Sequence, residues 1–128
     1  MYEKKVLWLD VDGVLLDYAR AFLDYSRQHM LPNKNNTMYE SLDDYDLTIL
    51  FETPDICFEI MKKFSYSAEF ADLDTHVART HLEVLKNAGY DLKIITQLSA
   101  TGAARKNRIM NLTNAYGAIF SEVVFTEH

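Results

Sequence analysis

Cysteine is almost missing from this chain: Cys57 stands alone among 128 residues, so no intramolecular disulfide can form. A lone thiol suits a reducing cytoplasm and reads as a small buried hydrophobe on a helix. Basic residues are short as well, with 13 Lys and Arg against 19 Asp and Glu and a formal net charge of −6. The acids are scattered rather than blocked. That balance speaks against a nucleic-acid polymer or an anionic membrane surface as partner, since both reward basic patches. A single nucleotide stays open as a ligand. No run approaches the roughly 20 apolar residues that span a bilayer. Glu3, Lys4 and Lys5 lead directly into an apolar run, so no signal peptide is expected. Repeats and low-complexity tracts are lacking too. Hydrophobic residues at 48% and charged residues at 25% are ordinary globular composition, and the length fits one domain with a sizeable core.

What is present is concentrated in Val6-Leu7-Trp8-Leu9-Asp10-Val11-Asp12-Gly13-Val14-Leu15. A short run rich in β-branched and aromatic residues ends in two carboxylates one residue apart, then a glycine. The run reads as a strand buried on both faces. Acids are costly inside such a strand, which places them at its C-terminal end, where open parallel α/β sheets bind ligands. Side-chain alternation puts Asp10 and Asp12 on one side if the extended geometry persists. Gly13 lets the backbone leave the strand sharply. Two carboxylates facing one cleft imply a hard metal ion between them, or a division of labour between nucleophile and acid.

The rest of the chain alternates helix and strand signals. Asp17 caps a helix from Tyr18 to about Met30, with Ala19, Phe22, Leu23 and Ser26 on one face. Residues 32–37 form a loop and 38–51 a short helix. Thr53-Pro54 opens a helix to about Phe64, placing Ile56, Cys57, Ile60 and Met61 on one side. Asp74 or Thr75 opens another, stopped by Gly89. Leu92 to Thr96 is a second strand, Ser99 or Thr101 caps a helix to about Tyr116, and Glu122 to Thr126 is a third strand. This order predicts an α/β fold: a Rossmann-like parallel sheet with crossover helices. The long helical stretch after the first strand exceeds the dozen or so residues a crossover needs. Residues 18–73 are therefore expected to sit as a small helical cap over Asp10 and Asp12, on a core formed by residues 1–17 and 74–128.

Asp10-Val11-Asp12-Gly13-Val14 resembles the first motif of the haloacid dehalogenase-like (HAD) phosphohydrolases, DxDG followed by Val or Thr. Thr96, at the end of an apolar strand, is similar to that family's second motif. The closer likeness is to the 5'(3')-deoxyribonucleotidase branch. It shows in Asp12-Gly13-Val14-Leu15-Leu16-Asp17-Tyr18, Phe70-Ala71-Asp72-Leu73-Asp74 and Val123-Val124-Phe125-Thr126. It runs through the whole chain, strong at the two motifs and loose in the cap. A calcium loop would need further acids two and four residues on, where Val14 and Leu16 stand.

The resemblance implies that Asp10 attacks phosphorus to form an aspartyl-phosphate, with Asp12 as acid and then base. It implies Mg2+ on Asp10 and the main chain of Asp12, and phosphate contacts from Thr96, Gln97 and Gly13. Tyr18 and Phe70 match positions that line the base pocket of a nucleotide substrate. Each has a plainer reading. Paired acids can merely cap a turn, Thr96 can simply end a strand, and Tyr18 and Phe70 read first as cap-core aromatics. His76 and His81, five apart, miss the spacing for a shared metal and read as structural. Arg105, Lys106 and Arg108 could attract phosphate, but a solvated face is the default for helical charges.

The family's third motif, a Lys soon after the third strand, and its fourth, one or two acids, have no counterpart before His128. Lys86, Lys93 and Lys106 precede that strand and cannot be carried over. The chain is therefore expected to be truncated relative to the family and its catalysis impaired. Electrostatic groups of this kind are worth about 2.7–4 kcal/mol each. A catalytically inactive module that binds phosphate or nucleotide, or serves as an assembly partner, is the alternative. Truncation would also leave Val6 to Val11 as a sheet edge, a template for pairing with another copy or a complementing chain.

Overall fold

A computed structural model of the chain describes residues 5–29, 31, 47–98 and 102–126. Three strands, β1 (Lys5–Leu9), β2 (Tyr90–Gln97) and β3 (Glu122–Thr126), form one parallel sheet in the order β1-β2-β3. Leu7 pairs with Leu92 and Leu9 with Ile94, while Val123 pairs with Ile94 and Phe125 with Thr96. The mixed α/β class and the parallel sheet are thus as the sequence predicts. The loop at 32–37, most of the helix expected over 38–51, and the caps at Ser99 and Thr101 lie outside the described residues.

Burial of the sheet is one-sided, which corrects the reading of a doubly buried first strand. Alternation sends Leu92, Ile94 and Thr96 of β2 into the core. On the opposite face Val6 is 49% exposed, Trp8 46% and Ile95 42%. Lys93 lies over the Trp8 ring at 5.6 Å and pairs with Glu122 at 2.8 Å on that outer face. Among the described residues β1 has β2 as its one neighbour. Its other edge, and the apolar face beside it, are thus uncovered among the described residues.

Among the described residues four α-helices surround the buried face: α1 (Tyr18–Gln28), α2 (Pro54–Ser65), α3 (Arg79–Asn87) and α4 (Ala103–Tyr116). The predicted caps form at the first two. The Asp17 side chain accepts from the Arg20 amide at 3.2 Å, and Thr53 Oγ1 accepts from the Ile56 amide at 3.3 Å with Pro54 in the first turn. Their buried faces carry Phe22, Leu23 and Tyr25 on α1, and Cys57, Ile60 and Phe64 on α2. Phe64 is the hub, with Tyr18, Phe22, Tyr25 and Phe70 ring centroids 5.0–5.9 Å away. Residues 47–50 and 69–72 are short 3-10 turns packed on these helices.

The third helix begins later than expected, at Arg79 rather than Asp74 or Thr75. The intervening backbone is committed elsewhere. The Asp17 amide donates to the Asp74 carbonyl at 2.8 Å and the His76 amide to the Leu15 carbonyl at 2.7 Å. A helix opening at Asp74 would need that carbonyl for its own first turn. Tyr116, at the end of α4, locks the same junction: its buried hydroxyl lies 2.7 Å from the Val77 carbonyl and 3.1 Å from that of Leu15. Replacing Tyr116 with Phe strands buried carbonyls at the turn that follows β1. It is expected to cost about 1–3 kcal/mol in chemical denaturation, with the slope on denaturant unchanged.

Candidate functional site

Extended geometry stops at Leu9, before the paired acids. The next residues coil around a single acceptor: the amides of Val14, Leu15 and Leu16 all reach the Val11 carbonyl, at 3.2, 2.9 and 3.0 Å. Gly13 adopts φ 77°, which an L side chain resists, and its amide donates to the Leu16 carbonyl at 2.9 Å. This coil separates the two carboxylates, which strand alternation had placed together. Asp10 is exposed, one oxygen accepting from the Val11 amide at 2.8 Å. Asp12 turns inward.

Asp12 opens onto a cavity of about 790 Å³ beyond the C-terminal ends of β1 and β2. Gly13, Tyr18, Phe70 and Gln97 share its wall, so five of the seven predicted site residues converge there. Helix α2 contributes Phe58, Met61 and Lys62. Asp10 and Thr96 are not on the wall. Thr96 is buried on the core face of β2 beside Gln97, and among the described residues its hydroxyl has no hydrogen-bond partner. Tyr18 and Phe70 keep their plainer role as well as their place on the wall. Tyr18 stacks on Phe22 at 5.8 Å and meets Phe70 edge-on at 6.3 Å, and burial pushes its hydroxyl pKa upward.

The decisive residue is one the sequence reading assigned to a solvated face. Arg108 on α4 is 1% exposed. Its Nη2 lies 2.8 Å from Asp12 Oδ1, and its guanidinium sits over the Phe70 ring at 4.6 Å. The ion pair is close but misaligned, so neither Asp12 Oδ1 nor any Arg108 nitrogen makes a well-directed hydrogen bond. Signal for this was present in the helical spacing. Ala104, Arg108, Leu112 and Tyr116 recur every fourth residue and form the buried stripe of α4.

Opposing effects act on the Asp12 carboxyl. Burial pushes the Asp12 carboxyl above its ordinary value of 3.8, the Arg108 cation pulls it back, and the Asp10 charge adds a smaller push. About a third of the Asp12 side chain stays accessible, while Oδ1 is covered by Arg108. No three His, Cys, Asp or Glu side chains group as metal ligands among the described residues. Asp10 and the Asp12 main chain offer one carboxylate and one carbonyl, a set that suits Mg2+ only alongside water and phosphate oxygens.

A raised carboxyl binds its proton more tightly in the folded state. The stability it contributes is present below pH 3.8 and is lost as pH rises through the folded midpoint. Carboxyl-carbon NMR is expected to place the Asp12 midpoint above 3.8, and Arg108→Gln to move it higher still. A midpoint that falls in the variant would contradict the role given to Arg108.

No protein-family model matches this chain. No curated protein matches it either.

Proposed function

We propose that the chain has a HAD-like core, residues 1–17 and 74–128, with residues 18–73 as a helical cap, and hydrolyses phosphomonoesters. The observation that carries this reading is an acid turn at the C-terminal edge of a parallel sheet, opening into an aromatic-walled cavity. The cavity volume suits a nucleotide-sized ligand. Tyr18 and Phe70 offer ring faces to a base, which makes (deoxy)nucleoside monophosphates the proposed substrates.

In this mechanism an Asp10 carboxylate oxygen attacks phosphorus while the ester oxygen leaves with a proton from Asp12. The product is an aspartyl-phosphate on Asp10 and a free alcohol. Asp12, now ionised, takes a proton from water as that water's oxygen attacks phosphorus, which releases phosphate and restores Asp10. The inward Asp12, on the cavity wall and with its raised pKa, suits the acid role; Asp10, exposed at the same turn but off that wall, takes the nucleophile role on the family resemblance. Asp10 and the Asp12 main chain are the groups that would hold magnesium, whose charge would screen repulsion between the anions. Gln97 and Gly13 line the cavity and are the proposed phosphate contacts, with Thr96, next to Gln97 on β2, holding a buried hydroxyl that has no partner among the described residues.

A second reading has its own support. Asp12 Oδ1 is covered by Arg108, and no metal-ligand group of three is found among the described residues. A module that binds phosphate or nucleotide without turnover would look the same. Magnesium-dependent phosphate release from deoxynucleoside monophosphates is expected, abolished by Asp10→Asn. Measurable nucleotide binding with no release would establish the second reading instead.

We also propose that the open edge and apolar outer face of β1 pair with a second copy or a complementing chain. Val6, Trp8 and Ile95 supply the exposed surface. Sedimentation velocity is expected to show self-association that Trp8→Lys weakens. A protein that stays monomeric at every concentration would leave that edge without the proposed self-pairing.

A further inference from the structure

Four described residues hold buried side-chain polar atoms that lack a hydrogen-bond partner: Asp12, Ser26, Thr96 and Arg108. Three of the four lie at the C-terminal end of the sheet or in the cavity it faces. Buried polar groups in folded proteins are almost always satisfied, so such clustering points to a partner that binds from outside. The polarity of the unmet groups says what kind. Arg108 has five N–H donors and no acceptor, and a single carboxylate oxygen near Nη2 leaves Nε and Nη1 unused. An anion with several oxygens would meet those donors.

The guanidinium is also held in place. Asp12 fixes one end and the Phe70 ring supports one face. Phe70 in turn sits on a turn braced by α4 itself. Asn111 Oδ1 accepts from the Leu73 amide at 2.8 Å, Asn111 Nδ2 donates to the Leu73 carbonyl at 3.3 Å, and Asn107 donates to the carbonyls of Ser65 and Ser67. A planar fork, fixed in a cavity wall with free donors, is the usual means of recognising phosphate.

We propose that Arg108 is the oxyanion-binding residue of this cavity: its guanidinium, resting on Asp12 in the free protein, receives the phosphate group of an entering ligand. Arg108 then supplies, from the helix between β2 and β3, the positive charge that faces the acid turn. This inference rests on the reading of the cavity as a phosphate site, and holds whether or not the protein turns substrate over. The rival is a purely structural Arg108 that only neutralises Asp12.

Titration of the protein with inorganic phosphate, followed by calorimetry with and without Mg2+, separates the two. Arg108→Gln is expected to weaken phosphate binding by about tenfold to a hundredfold. Arg108→Lys, which keeps the charge but not the fork, is expected to recover part of that loss. Lys106→Gln, an exposed neighbour on α4, is expected to bind as the wild type does. A folded Arg108→Gln protein that binds phosphate like the wild type would overturn the role of Arg108 and leave the phosphate site standing. A wild-type protein that binds no phosphate would overturn both. Should Arg108→Gln fail to fold, the Nε–Hε NMR signal of Arg108 in the wild type must shift on phosphate addition. An unmoved signal overturns the proposal equally.

Discussion

A guanidinium at 1% exposure cannot be left alone in a protein interior, and that constraint organises this molecule. Arg108 needs a counter-ion, and the chain reaches one by coiling the residues after β1 so that Asp12 faces inward. Phe70 must then lie across the cation, which ties the 3-10 turn at 69–72 to α4. The helix completes both attachments. Asn107 and Asn111 satisfy backbone groups between Ser65 and Leu73, and Tyr116 satisfies those at Leu15 and Val77. One face of one helix thereby fixes the acid turn, the aromatic wall and the junction between them.

That arrangement gives the paired acids different characters. A regular strand would have presented Asp10 and Asp12 side by side, as near equals. Coiling around the Val11 carbonyl leaves Asp10 in solvent and Asp12 against a cation on the cavity wall. Two carboxylates with diverging environments can divide acid and nucleophile roles, whereas two in the same environment compete for one proton. The cavity itself comes from two sources. The sheet supplies its floor at the strand ends, and α2 supplies an apolar side through Phe58 and Met61.

The sheet has a consequence of a different kind. Parallel sheets are ordinarily covered on both faces. Among the described residues this one is covered on one. Trp8 and Ile95 remain exposed beside the Lys93–Glu122 pair. The same strand thus carries the candidate site at its end and an apolar surface along its side.

The sequence by itself determined the strands, their parallel order, the caps at Asp17 and Thr53, and the location of the acid turn. These follow from local rules: side-chain period, capping chemistry and the cost of placing a carboxylate inside a strand. Where those rules compete with distant groups, tertiary structure decided. The start of α3 moved because the carbonyls of Leu15 and Asp74 take part in bonds between the acid turn and residues 74–76. Asp10 and Asp12 parted because a local coil replaced the strand. Trp8, apolar and on a strand, stayed outside because nothing described covers that face. Arg108 is the sharpest case. Its four-residue spacing from Ala104 and Leu112 is compatible with a buried stripe, yet its charge read as a solvated face, because a charge on that stripe is tolerable only if a carboxylate meets it. That carboxylate lies 96 positions earlier in the chain, a meeting no local pattern encodes.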